Sequence, residues 1–89
     1  MDVGPVSIRP SGRKHGISDE RIRYAIKTCP RVLEHPTIDG QVIFLGPDQN
    51  GVPLEVVGWE YDSGEVEIVH AMRLRPSYKD AYEEVMRWL

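Results

Sequence analysis

The chain has 89 residues, 40% hydrophobic and 28% charged, with a formal net charge of −3. That length allows one domain and one core, and an acidic total excludes a nucleic-acid binder that works by overall basicity. No apolar run exceeds Val42-Ile43-Phe44-Leu45, no signal-peptide pattern opens the chain, and Cys29 has no partner for an internal disulfide. A cytoplasmic location without membrane contact is therefore expected.

Charge is unevenly spread. Residues 1–40 carry seven Lys/Arg against five Asp/Glu, and residues 41–89 carry four against nine. Any phosphate contact must come from a local cluster, of which Arg13-Lys14-His15 is the densest, although such a triplet also suits a solvated loop.

Residues 1–12 contain Gly4, Pro5, Pro10 and Gly12, which argue against helix and for an extended lead-in before a single domain over 13–89. Val6 to Arg9 suits either a short edge strand or a frayed approach. The first helix is expected from Asp19 to Thr28 or Cys29. Ser18 is its N-cap, Asp19 and Glu20 complement the dipole, and Ile17 with Ile22 makes a hydrophobic staple. Ile22, Ala25, Ile26 and Cys29 form its buried stripe, and Pro30 ends it.

Arg31 to Gly40 reads as a connector. Gln41–Leu45, Leu54–Tyr61 and Glu65–Arg73 read as strands, with Gly46–Gly51 a turn and Asp62-Ser63-Gly64 a three-residue hairpin loop. If Tyr61 pairs with Glu65, then Leu54, Val56, Gly58, Val66, Ile68, His70 and Met72 share the core face. Glu55, Val57, Trp59, Tyr61, Glu67, Val69, Ala71 and Arg73 then share the other. A second helix follows from Tyr78 to about Leu89, with Ser77 and Asp80 as a capping box and an inner stripe of Tyr78, Ala81, Tyr82, Val85 and Leu89. The fold class expected is α+β: N-terminal helix, antiparallel meander of three to four strands, C-terminal helix.

Three kinds of chemistry find no motif. The histidines lack metal-ligand spacing, the Gly46–Gly51 turn lacks the Lys-Ser/Thr ending of a phosphate loop, and there is no nucleophile elbow. Neither a metal nor another cofactor is expected. What the residues permit is acid–base and phosphate chemistry. Metal-free RNA cleavage needs one group to deprotonate the 2′-hydroxyl, another to protonate the leaving 5′-oxygen, and cations for the charge on phosphorus. His15 beside Lys14, with Arg73 and Arg75 from the other helix–sheet junction, could supply that set. His70, on the expected core face, reads as a buried, hydrogen-bonded histidine, with a catalytic role as the alternative, and His35 is given no role.

The chain resembles the BrnT-type toxins of the RelE/ParE-like superfamily. The resemblance rests on Lys14-His15-Gly16 before a helix, on Ile68-Val69-His70-Ala71-Met72-Arg73 closing the meander, and on Tyr82-Glu83 in the last helix. It spans about residues 13–84. The chain departs from the family in its acidic charge and in His70-Ala71-Met72, where the family has a Ser-Ala-Arg stretch. The resemblance implies a metal-independent endoribonuclease that arrests translation and growth, acting on RNA, free or on the ribosome. It also implies a partner, a ribbon–helix–helix DNA-binding antitoxin. On this reading Lys14, His15 and Arg73 are catalytic, and Arg13, Arg75 and Tyr78 contact RNA, with Tyr78 equally suited to the core. Trp59 and Tyr61 bind the partner. Two other readings stand beside it: a non-enzymatic protein-interaction domain, and a topoisomerase-inhibiting toxin.

Overall fold

The computed structural model describes residues 4–88. Five strands, β1 (Val6–Ile8), β2 (Leu33–Glu34), β3 (Gln41–Pro47), β4 (Pro53–Glu60) and β5 (Val66–Arg73), form one sheet in the order β1-β5-β4-β3-β2. Two helices, α1 (Asp19–Thr28) and α2 (Lys79–Met86), and two 3₁₀ turns, Pro10–Arg13 and Pro76–Tyr78, complete the fold. The class is α+β, as expected, but the helix–meander–helix arrangement is not what forms. The first element among the described residues is a strand, and β1 runs parallel to β5, making the sheet mixed.

Both additions have a local cause. Val6 and Ile8 are β-branched and sit between two prolines, and β1 docks through the flanking groups: the Val66 amide donates to the Pro5 carbonyl, and the Arg9 amide donates to that of Ile68, each at 2.9 Å. Three residues are too few to show a period. The connector likewise yields β2, where Leu33 and Glu34 pair with Ile43 and Val42. Pro10–Arg13 makes a short 3₁₀ turn where helix was not expected.

Helix α1 follows its sequence signals. The Arg21 amide donates to Ser18 Oγ at 3.2 Å, capping the first turn. Ile22, Ala25, Ile26 and Cys29 are buried, with Ile17 beside them. The helix lies against β3, where Gly46 comes close to the Ala25 carbonyl. Val42, Phe44 and Gly46 therefore mark the α1 side of the sheet, shared by Val56 and Leu54 across the strand pair.

The β4–β5 hairpin closes as read from the sequence. The Tyr61 amide donates to the Glu65 carbonyl at 2.9 Å, and Gly64 takes φ of +90°, a conformation that only glycine adopts cheaply. Trp59 faces Glu67 and Gly58 faces Ile68, but Val57 then faces His70. Val69 is an extra residue, a β-bulge, and beyond it the pleat of β5 is inverted. The expected faces therefore hold as far as Ile68 and exchange after it. Ala71 and Arg73 lie opposite Val56 and Leu54 on the α1 side, and His70 and Met72 join Val57 and Glu55 on the other.

The capping box proposed for the last helix does not form. Pro76–Tyr78 is a 3₁₀ turn, the cap position falls at Tyr78, and no side chain caps α2. Val85 is buried, while Ala81, Tyr82 and Met86 are half-buried against the core. Trp88 is exposed, with the Arg31 guanidinium 5.5 Å from its ring centre. Leu89, expected in the inner stripe, lies outside the described residues.

Candidate active site

A lone carboxylate in the middle of an apolar strand has to find partners or lose its charge. Glu55 is such a group: it is fully buried, between Leu45 of β3 and Met72 of β5. Its partner is Arg75, just beyond β5. Arg75 Nη2 donates to Oε2 at 2.8 Å, Nε donates to Oε1 at 3.0 Å, and the Arg75 backbone amide donates to Oε1 at 2.9 Å. Burial pushes the Glu55 carboxyl up, but the side-chain and backbone donors of Arg75 outweigh it and hold the group below its usual range. The Tyr78 ring lies beneath the Arg75 guanidinium, 5.8 Å away.

The bulge at Val69 brings His70 into this arrangement. His70 Nε2 stands 3.4 Å from Glu55 Oε2, closed off from solvent and without a well-formed hydrogen bond. His15 meets it edge to face, with ring centres 5.4 Å apart and planes at 75°. The approach of His15 depends on Gly12 in the 3₁₀ turn that packs on β5. A Cβ there would stand 3.1 Å from the Ile68 carbonyl oxygen and 3.2 Å from Ile8 Cγ2, so a side chain would press the turn and strand apart by a few tenths of an ångström.

Two imidazoles, a buried carboxylate and a guanidinium thus converge from the segment just after the first 3₁₀ turn, β4, β5 and the residue that precedes the second 3₁₀ turn. Lys14 is exposed next to His15 and makes no ion pair among the described residues. The other expected site residues are placed as follows. Arg73 is exposed and faces Leu54, on the side of the sheet opposite His70. Arg13 is held by Asp19 through two bonds of 2.8 Å, which lower the Asp19 carboxyl and raise the guanidinium. Arg75 is engaged with Glu55, and Tyr78 is half-buried beneath it.

Trp59 and Tyr61 lie at the other end of that sheet face. Gln41, Trp59 and Glu67 stand side by side across three strands. They belong to a hollow of about 810 Å³ that also takes in Tyr61 and Arg9. The Tyr61 hydroxyl donates to Glu67 Oε1 at 2.9 Å, and Arg9 Nε lies 3.0 Å from Oε2. The bond to Glu67 pushes the Tyr61 phenol up, and the Tyr61 and Arg9 donors bring the Glu67 carboxyl down.

Sequence reasoning passed over Glu55 and set His70 on the core face. Glu55 had a signal, a single acid inside Leu54-Glu55-Val56-Val57, which reads equally as an outward-facing residue. For His70 the residue type was the signal, but its orientation had none, because it is set by a bulge that no turn residue announces. Comparison with protein-family models, with curated proteins and with solved structures gave no match to this chain. No helix among the described residues is long and apolar enough to cross a membrane.

Proposed function

We propose that the chain is a toxin-type endoribonuclease that cleaves RNA without a metal and arrests growth, acting in the cytoplasm and held in check by an antitoxin partner. The observation that carries this reading is the contact of His15 with His70 beside the buried Glu55–Arg75 pair. Two imidazoles this close can serve one phosphodiester. One takes the proton of the 2′-hydroxyl as that oxygen attacks phosphorus; the other gives a proton to the 5′-oxygen as its bond to phosphorus breaks. The products are a 2′,3′-cyclic phosphate and a free 5′-hydroxyl. Lys14 offers a mobile cation to the phosphate, and the guanidinium of Arg75 keeps Nη1 outside its bonds to Glu55. Despite the negative total, Lys14 makes no ion pair among the described residues and so leaves one cation for a phosphate at this end of the sheet.

The test is cleavage of a mixed-sequence RNA by the purified protein in EDTA, with the ends identified. Cyclic phosphate ends are expected. His15→Ala and His70→Ala should each lower the rate about 100-fold, the scale of a lost proton-transfer group. Arg73→Ala should lower it much less, since Arg73 faces the other side of the sheet. Full activity in the double histidine variant refutes the site, and cleavage abolished by EDTA refutes the mechanism.

A further inference from the structure

The charged residues that border the hollow over Trp59 are mainly acidic. Its floor is the row Gln41, Trp59 and Glu67, and Tyr61 forms a wall. Around it stand Glu34, Asp39, Glu60 and Asp62, all exposed and none of them bonded through its side chain to another described residue. With Glu67 this makes five acidic residues along the hollow against one arginine, Arg9; Asp39 and Asp62 stand on its loops, whereas Glu34 and Glu60, paired with Val42 and Val66, are rooted on the other side of the sheet and border it from its edge. Glu67 is the one that is paired, and its pairing is informative: a guanidinium lies 3.0 Å from one oxygen while a phenol donates to the other at 2.9 Å. This chain's own Arg9, its side chain 59% exposed, thus already demonstrates how an arginine is held there. The remaining acidic rim has no such counterpart.

We propose that this hollow is a docking site for a basic segment of a partner protein, which seats an arginine or lysine side chain against Trp59 and Tyr61 inside the acidic rim. A cation is attracted to the face of an indole or phenol ring and to the carboxylates together. The sign of the rim rejects RNA, whose phosphates meet like charge. A protein segment suits the site better than a free amine because Glu34 belongs to β2, the last strand in the sheet order, which has a strand on one side only. An extended chain can run beside that edge while its side chain enters the hollow. The volume of about 810 Å³ is ample for one long side chain and adjoining backbone. This inference does not depend on RNA cleavage.

The test is an NMR titration of the protein with a blocked Gly-Arg-Gly-Arg-Gly peptide, following the indole N–H signals of Trp59 and Trp88. The Trp59 signal should shift saturably and the Trp88 signal should not; the same peptide with Glu in place of Arg should leave both unmoved. High salt should weaken binding. A triple variant, Glu34→Gln with Asp39→Asn and Asp62→Asn, changes exposed residues only and should bind at least about tenfold more weakly, because charge complementarity is lost. Trp59→Leu should abolish the response at the site, read from the Gly40 amide. The proposal is overturned if Trp59 does not respond, if the triple variant binds as well as the wild type, or if a pentanucleotide RNA shifts the same signal.

Discussion

Arg75→Met tests whether Glu55 is ionised inside the protein. The substitution keeps the unbranched stem and the backbone amide that donates to Glu55 at 2.9 Å, and removes the side-chain donors at 2.8 and 3.0 Å. Glu55, with no exposed surface, is left as a buried carboxylate with one good donor. Removing one partner of a fully buried ion pair costs about 3–5 kcal/mol. Here the retained amide and the half-exposed position of Arg75 let water relieve part of that, so about 2–3 kcal/mol is expected to fall on Glu55 at neutral pH. With a urea slope of about 1 kcal/mol per molar for a domain this small, the midpoint should drop by about 2 M or more.

The pH dependence separates this cause from lost packing. In the wild type the Glu55 carboxyl is held below its ordinary value, so its contribution is present above about pH 4.3 and fades as pH falls through the folded value. In the variant, burial acts against a charge that Arg75 no longer offsets, the folded value rises, and stability falls as pH rises through it. The gap between the two proteins should therefore be widest near neutrality and close toward pH 3–4, on the ordinary range of a glutamate. Adding Glu55→Gln should remove most of the Arg75→Met penalty at pH 7. An equal gap at both pH values, or a double variant as unstable as the sum of its parts, refutes a buried charged Glu55.

Two further substitutions probe the elements that assemble the site. Gly12→Ala places a methyl 3.1 Å from the Ile68 carbonyl oxygen; it should lower stability by about 1–2 kcal/mol in urea unfolding and weaken the nuclear Overhauser contacts between the His15 and His70 rings. Ser18→Ala removes the oxygen that accepts from Arg21, and should cost about 1 kcal/mol in the same assay while leaving those ring contacts intact.

The parts of the fold legible in the sequence are those where side-chain chemistry acts locally. Ser18, Asp19 and Pro30 bound α1 because capping and proline geometry need only neighbours, and Gly64 marks its loop for the same reason. Val6–Ile8 suited two readings, and Leu33–Glu34 sat unmarked inside an expected connector, because a strand of two or three residues has no period; only its distant partner stabilises it. The site shows the same division. Lys14-His15-Gly16 stood out as a cluster, but its companion was hidden by Val69. A single extra residue in β5 turns His70 toward Glu55 and Arg73 away, and nothing in Ile68-Val69-His70 distinguishes a bulge from regular pleat. Trp59 and Tyr61, on the loop side of the bulge, kept their face.

The parallel pairing of β1 with β5 has a consequence for how the molecule comes into being. Val6 finds Val66 sixty positions later, and the short turn carrying His15 is anchored through the same neighbours. Closing so long a loop is slow compared with forming α1 or the β4–β5 hairpin. On a translating ribosome the first strand must wait until the fifth has left the exit tunnel. Until then it has no place in the sheet, and His15 and His70 remain apart. Synthesis order therefore imposes a delay, in which every chain whose fifth strand has not yet emerged lacks the assembled histidine pair.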